Sequence, residues 1–136
     1  MERQEDVFLQ HIRLSEQMGL PLVIHCVRAI DMLLHLRREL HPAMPWMLHG
    51  FRGKPQQLRS LLDAGFYISF GFHYNEESLL LCPIDRLLLE TDDNEGYPVA
   101  KIYNNVADKK GLDVPNLCEK MAENYLAFFR KKTFLT

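Results

Sequence analysis

The stretch LPLVIHC, residues 20–26, is almost entirely apolar until it reaches His25. A continuous apolar run of this length is typical of a β-strand that is buried on both faces, as in parallel sheets. Before it, apolar residues recur at helical spacing over residues 4–18, and Gly19 and Pro21 favour the end of that helix. The sequence here predicts a helix followed by a buried strand whose first polar side chain is His25.

The same pattern of a helix followed by a buried strand recurs along the chain. Further strands are predicted in MPWMLHG (44–50), FYISFGF (66–72) and RLLLETD (86–92). Further helices are predicted over residues 29–40, 53–65, 75–81, 99–110 and 115–131. The strands recur at intervals of roughly 20 residues, which fits successive βα units with right-handed crossovers around a parallel sheet.

Length, charge and cysteine content limit the class of protein. The 136 residues suit a single domain, and a net charge of −2 provides no basic field that could hold nucleic acid by electrostatics alone. Three cysteines without a CxxC pair argue against a disulfide scaffold and favour a reducing compartment. Because the sequence shows neither a signal peptide nor an apolar run of membrane-spanning length, we expect a cytoplasmic protein that does not enter membranes.

Polar side chains stand at the ends of three predicted strands. His25 ends the first, His49 ends the second and Asp92 ends the fourth. Ligands of parallel α/β folds bind at the carboxyl ends of the strands, so these side chains could converge on one point. Imidazole and carboxylate suit divalent cations such as zinc or manganese. The alternative remains open that the histidines are hydrogen-bonded structural residues and that the acids of residues 90–93 belong to a solvated turn.

Glu90 and the remaining histidines take secondary places in this prediction. The two-residue period of a strand places Glu90 on the same face as Asp92 and one layer deeper. Glu90 is therefore either a hydrogen-bond partner behind the site or a buried acid with another partner. His73, in the loop after the third strand, is a weaker site candidate, and the other histidines are predicted at the surface: His11, His35 and His41.

A basic segment follows His49. Arg52 and Lys54 flank Gly53 just before a predicted helix N-terminus, where cations and unpaired backbone N–H groups can bind a phosphate. A solvated loop with two ordinary basic residues is the alternative interpretation.

Taken in order, five stretches resemble the TatD-like family of metal-dependent hydrolases, often called TatD DNases. They are QEDVFLQHIRLSEQMGLPLVIHC (4–26), LHGFRG (48–53), GFYISFG (65–71), DRLLLETDD (85–93) and MAENYLAFF (121–129). The family belongs to the amidohydrolase-like TIM barrels. The resemblance implies an α/β fold made of the second half of such a barrel, with four parallel βα units plus C-terminal helices. Residues 1–136 would then form a single partial TatD-like hydrolase domain.

The resemblance also implies an activity and a site. His25, His49 and Asp92 would bind a divalent metal (Zn, Mg or Mn), and Asp92 would also handle the proton of the attacking water. The reaction would be hydrolysis of phosphodiester bonds, in DNA or in a small phosphodiester, by metal-activated water.

The sequence departs from the family pattern in ways that leave three hypotheses. The family begins its barrel with an H-x-H strand whose histidines bind metal, and a glutamate of its fourth strand bridges two ions; this sequence contains neither. An eight-stranded barrel takes ~250 residues, whereas this chain supplies four strands. Other departures are Val27, Arg28, Arg52, Asp93 and Asn94. The chain is then a hydrolase whose other half lies elsewhere, a half-barrel that pairs with a second copy, or a binding module without catalysis.

Overall fold

The structure, a computed structural model, describes residues 2–25, 29–90 and 99–130. Helices and strands alternate through most of this part of the chain, so the predicted α/β fold class is confirmed. The helices are α1 (Glu2–Met18), α2 (Ile30–Leu40), α3 (Pro55–Asp63), α4 (Glu76–Leu81), α5 (Val99–Lys110) and α6 (Val114–Phe129). The strands are β1 (Leu22–Ile24), β2 (Trp46–Leu48), β3 (Tyr67–Phe70) and β4 (Leu87–Leu89).

The four strands form one parallel sheet in the order β1-β2-β3-β4. Strands β1, β2 and β4 each end directly before a polar residue, namely His25, His49 and Glu90. Ile24 pairs with Leu48, and Phe70 pairs with Leu89. The residues that follow these positions therefore share the carboxyl edge of the sheet, where His25, His49 and Glu90 lie.

The two faces of the sheet are covered by different parts of the chain. Ile24, Leu48, Ile68 and Leu89 belong to a large buried cluster that also contains core residues of α2, α3, α5 and α6. This burial explains why the strand sequences are continuously apolar. On the opposite face Met47 and Leu88 pack with Phe128 of α6, next to the partly buried Tyr67 and Tyr125.

The α6 helix also covers the outer edge of β4. Two backbone hydrogen bonds tie the β4 segment to β3. The N–H of Ile68 donates to Arg86 O at 2.9 Å, and the N–H of Glu90 donates to Phe70 O at 3.0 Å. Because these groups alternate in direction along a strand, Leu87 and Leu89 face away from β3.

Side chains of α6 occupy both outward carbonyls. Nδ2 of Asn124 donates to Leu87 O at 2.7 Å, and Oη of Tyr125 donates to Leu89 O at 2.9 Å. A strand edge that would otherwise present bare acceptors is thus capped from within the chain.

The helix ends follow their local sequence with one exception. Gly19 ends α1 with a φ of 65°, as the sequence predicts. At the end of α2, however, His41 adopts a φ of 45°, a conformation that glycine normally supplies. Cys82 and Cys118 are free thiols, and Cys26 lies outside the described residues. No helix in the described residues is long and apolar enough to cross a membrane.

Candidate metal centre

The rings of His25 and His49 lie next to each other at the carboxyl edge of the sheet. Their ring centroids are 4.2 Å apart, and the ring planes are tilted by 52°. The backbone brings them together, since the N–H of His49 donates to Ile24 O at 2.9 Å. His25 is exposed and His49 is partly buried, so the pair opens toward solvent on one side.

Glu90 contacts the second of these histidines. Oε2 of Glu90 lies 2.9 Å from Nε2 of His49. The side chain of Glu90 is only 9% exposed, against 22% for His49. A carboxylate with so little access to water needs hydrogen-bond donors from the protein. The interpretation of Glu90 as a partner behind the site thus has a specific contact in its favour.

Ser69 supplies a further donor to the same carboxylate, and sequence reasoning missed it. Ser69 is buried in the middle of β3, and its hydroxyl donates to Oε2 of Glu90. The available signal was a hydroxyl inside the otherwise apolar FYISFGF run. A polar side chain at a fully buried strand position requires a partner, and here the partner comes from the next strand.

Glu90 also influences the aromatic residue that caps β4. Burial raises the pKa of the Tyr125 hydroxyl, and electrostatic interactions with Tyr103 and Glu90 raise it further. Tyr125 therefore stays protonated at neutral pH. It can donate to Leu89 O but cannot serve as an anionic ligand there.

The donors present suit a divalent cation in type, but the described residues do not complete a set. Two adjacent imidazoles are ligands that zinc and manganese accept. Among residues 2–25, 29–90 and 99–130, no group of three or more His, Cys, Asp or Glu side chains is arranged to hold a metal. Asp92, the predicted third ligand, lies outside the described residues, as do Val27, Arg28, Asp93 and Asn94.

The structure places the two predicted phosphate-binding residues on the surface beside this edge. Arg52 and Lys54 are both exposed, and Lys54 is the N-cap of α3. The N–H of Lys54 donates to Oε1 of Gln57 at 3.3 Å, so one backbone donor at this helix start is already used. Arg52 and Gly53 line a small cavity of about 130 Å³, together with Leu48, Gly50 and others.

Gly53 is required by close packing at this point. A Cβ there would lie 2.7 Å from the Phe51 ring and 2.4 Å from Oε1 of Gln57. The backbone between Arg52 and Lys54 therefore cannot carry a side chain without moving its neighbours. The other histidines are exposed, which confirms the surface prediction for His11, His35 and His41 and places His73 on the surface after β3.

Comparison with known proteins identifies the family. The family model described as TatD related DNase matches residues 1–130 of this chain. The chain belongs to the TatD family. The metal-dependent hydrolase YcfH of Escherichia coli K12, named as uncharacterized, is 31% identical over 147 residues. That alignment covers 93% of this chain and 56% of YcfH, so the chain spans a little over half the length of such a TatD relative.

Other TatD proteins agree in fold and in name. The 3'-5' ssDNA/RNA exonuclease TatD of Cronobacter sakazakii is 34% identical over 98 residues, covering 65% of this chain and 37% of that protein. The crystal structure of YJJV, a TatD homolog from E. coli K12, superposes with a TM-score of 0.82 at 20% identity. It covers 94% of this chain and 57% of YJJV. The four parallel βα units of this chain are therefore the fold of part of a TatD barrel.

Proposed function

We propose that this chain provides part of the active site of a divalent-metal-dependent hydrolase that cleaves phosphodiester bonds, those of DNA above all. Residues 1–136 would be a single partial TatD domain. The observation that carries the proposal is the adjacency of the His25 and His49 rings at the carboxyl ends of neighbouring parallel strands. Family membership and the exonuclease name of one relative support the choice of reaction and substrate.

Each residue has a role in this proposal. His25, His49 and Asp92 would hold the cation. When bound, a divalent cation supplies positive charge that stabilises a phosphate oxygen and makes a nearby water more acidic. The choice among Zn, Mg and Mn is narrowed by the imidazole pair, which favours Zn or Mn over the oxygen-preferring Mg.

The residues of the chain would do the rest of the chemistry. Asp92 would accept a proton from the attacking water, whose oxygen forms a bond to phosphorus while the ester P–O bond breaks. The departing alkoxide oxygen takes up a proton from solvent to leave as an alcohol, and Asp92 returns its proton to solvent. Arg52 and Lys54 would bind non-bridging phosphate oxygens, and their exposure permits them to reach a long polymeric substrate.

The test is a cleavage assay on the purified chain with a single-stranded DNA oligonucleotide and, separately, a small aryl phosphodiester. Mg²⁺, Mn²⁺ and Zn²⁺ are each added after treatment with EDTA. We expect metal-dependent cleavage that Asp92→Asn lowers by at least ~100-fold. The matched control Asp93→Asn removes the next carboxylate in the sequence, which has no role in the proposal, and should leave the rate within about twofold.

Absence of cleavage with all three metals would show that this chain alone is not the hydrolase and that the rest of the site must be supplied from elsewhere. A second result would contradict the proposal itself. Equal rates for wild type and Asp92→Asn would exclude Asp92 as the catalytic acid–base residue and favour a binding module without catalysis.

A self-associating half-barrel is the second candidate, and one edge of the sheet favours it. Val23 of β1 is 37% exposed, and among the described residues β1 pairs with a strand on one side only, that of β2. The β4 edge argues against closure of an eight-stranded barrel by two copies, because Asn124 and Tyr125 already occupy its carbonyls. Light scattering at micromolar concentration decides: a monomer excludes self-association, and a dimer supports it.

A further inference from the structure

We propose that Ser69 is a positioning residue for His49 and acts through the carboxylate of Glu90. Its hydroxyl fixes Glu90, and Glu90 fixes the plane and the tautomer of the imidazole. The effect on a bound metal rests on the proposed function, whereas the effect on the His49 ring does not.

The sheet itself sets the geometry of this hydrogen-bonded chain. Ser69 pairs with Leu88 in the β3–β4 register, so Glu90 is two residues beyond its partner and lies on the same face of the sheet. The backbone of Glu90 is tied to β3 by its N–H bond to Phe70 O. The backbone of Ser69 is tied to the segment after β2, because the N–H of Phe51 donates to Ser69 O at 2.9 Å. Three consecutive strands thus hold the three side chains.

Burial makes the hydroxyl hard to replace. Ser69 is 1% exposed, and so water has little access to its position on the Glu90 carboxylate. Ser69 and His49 both reach Oε2, and a carboxylate oxygen can accept two hydrogen bonds. Without the hydroxyl, the terminal torsion of Glu90, which is intrinsically broad, loses one of the contacts that select a single rotamer.

The contact with Glu90 bears on which nitrogen of the His49 ring carries the hydrogen. An ionised carboxylate is an acceptor only, so the 2.9 Å contact requires a proton on Nε2 of His49. A neutral imidazole in this contact is therefore the Nε2–H tautomer, with its lone pair on Nδ1. Loss of Ser69 should weaken this preference, since Glu90 would hold the ring less firmly.

Long-range ¹H–¹⁵N spectra of the metal-free chain at a mildly alkaline pH test the proposal, because they report histidine tautomers directly. We expect His49 of the wild type to be the Nε2–H form. Ser69→Ala should shift the signals of His49 toward a mixture of tautomers while the fold persists.

Two further variants separate the hydroxyl from shape. Ser69→Thr keeps the hydroxyl, and Ser69→Val introduces a side chain of nearly the same shape as threonine but without the hydroxyl. We expect Thr to retain the wild-type tautomer and Val to behave like Ala. The matched control Ser15→Ala removes another buried hydroxyl, which donates to Leu20 O at the opposite end of β1, and should leave the His49 signals unchanged. The proposal is wrong if Ser69→Ala or Ser69→Val keeps the wild-type spectrum.

Calorimetric titration with Mn²⁺ measures the consequence for the metal. We expect Ser69→Ala to weaken Mn²⁺ binding by about 10-fold or more, as loss of a residue that orients a ligand does. Unchanged affinity in Ser69→Ala would overturn the link to the metal. If the wild type itself binds no Mn²⁺, the proposed function fails, while the tautomer spectra still decide the role of Ser69.

Discussion

The ring of His25 stands 4.2 Å from the ring of His49, centroid to centroid, across two adjacent parallel strands. If this pair holds a divalent cation, replacing either ring should lower the affinity for Zn²⁺ or Mn²⁺. We expect a loss of at least ~10-fold for His25→Ala and for His49→Ala, measured by calorimetric titration. His35, exposed on α2, provides the control, and His35→Ala should bind as the wild type does. Unchanged affinity in both site variants would rule out this centre.

The exposed cations before α3 should act on substrate binding more than on the chemical step. Arg52→Ala should raise KM for an oligonucleotide about fivefold, since an exposed charge contributes roughly 1 kcal/mol. Lys54→Ala should act in the same direction. Arg59→Ala removes a comparable exposed charge within α3 and serves as the control in steady-state assays at fixed salt. If Arg59→Ala raises KM equally, the effect is one of net charge and not of a phosphate site.

Asn124 should be a major determinant of stability. Its side-chain amide donates to Ile84 O and to Leu87 O, both at 2.7 Å, and the residue is only 5% exposed. Asn124→Ala leaves these carbonyls without their donor and should cost about 2–3 kcal/mol of unfolding free energy in urea denaturation. Asn105→Ala, an exposed change on α5, should cost less than ~0.5 kcal/mol. Similar losses for both would show that the two bonds contribute little.

The buried thiol of Cys82 should make stability depend on alkaline pH. Burial raises the pKa of Cys82 from 9.0 to about 12, against a smaller lowering by Lys110. In the unfolded chain the thiol loses its proton near 9, while the folded chain keeps it. The contribution of the protonated Cys82 thiol to the free energy of unfolding is therefore complete below pH 9. It is lost as the pH rises toward 12, and the free energy of unfolding then falls by up to about 1.4 kcal/mol per pH unit.

Urea denaturation at about pH 8, 9 and 10 under reducing conditions checks this dependence. The free energy of unfolding should fall less steeply with pH in Cys82→Ala than in the wild type. Cys118→Ala, a change at an exposed thiol, should keep the wild-type slope. Parallel slopes in all three proteins would refute the role of Cys82.

The architecture was predictable from the sequence because its signals are local. Each strand is a continuous apolar run, and each helix has its own periodicity and end signals, so neither needs knowledge of distant residues. The approach of His25 to His49 followed from one general property of parallel sheets, the alignment of their carboxyl ends. The length of each strand was overestimated, since an apolar run does not show where ladder pairing stops.

The parts that sequence reasoning missed depend on long-range contacts. The bond from Ser69 to Glu90 requires the register between β3 and β4, which the sequence does not specify. The capping of β4 requires the path of α6 past the sheet. MAENYLAFF indicates a closing helix but not the acceptors of Asn124 and Tyr125. The left-handed His41 likewise stands where local rules favour glycine.

The capped β4 edge makes the sheet unequal at its two sides. Continuous growth of a β-sheet from copy to copy needs two complementary edges, one on each side of every copy. In the part of the chain that the structure describes, β1 offers such an edge and β4 does not, because α6 holds Leu87 O and Leu89 O. Two copies could meet β1 to β1, but no third copy could add to that pair through its strands. Because Asn124 and Tyr125 block strand addition at β4, we expect that copies of this chain do not extend into fibres through their sheet edges.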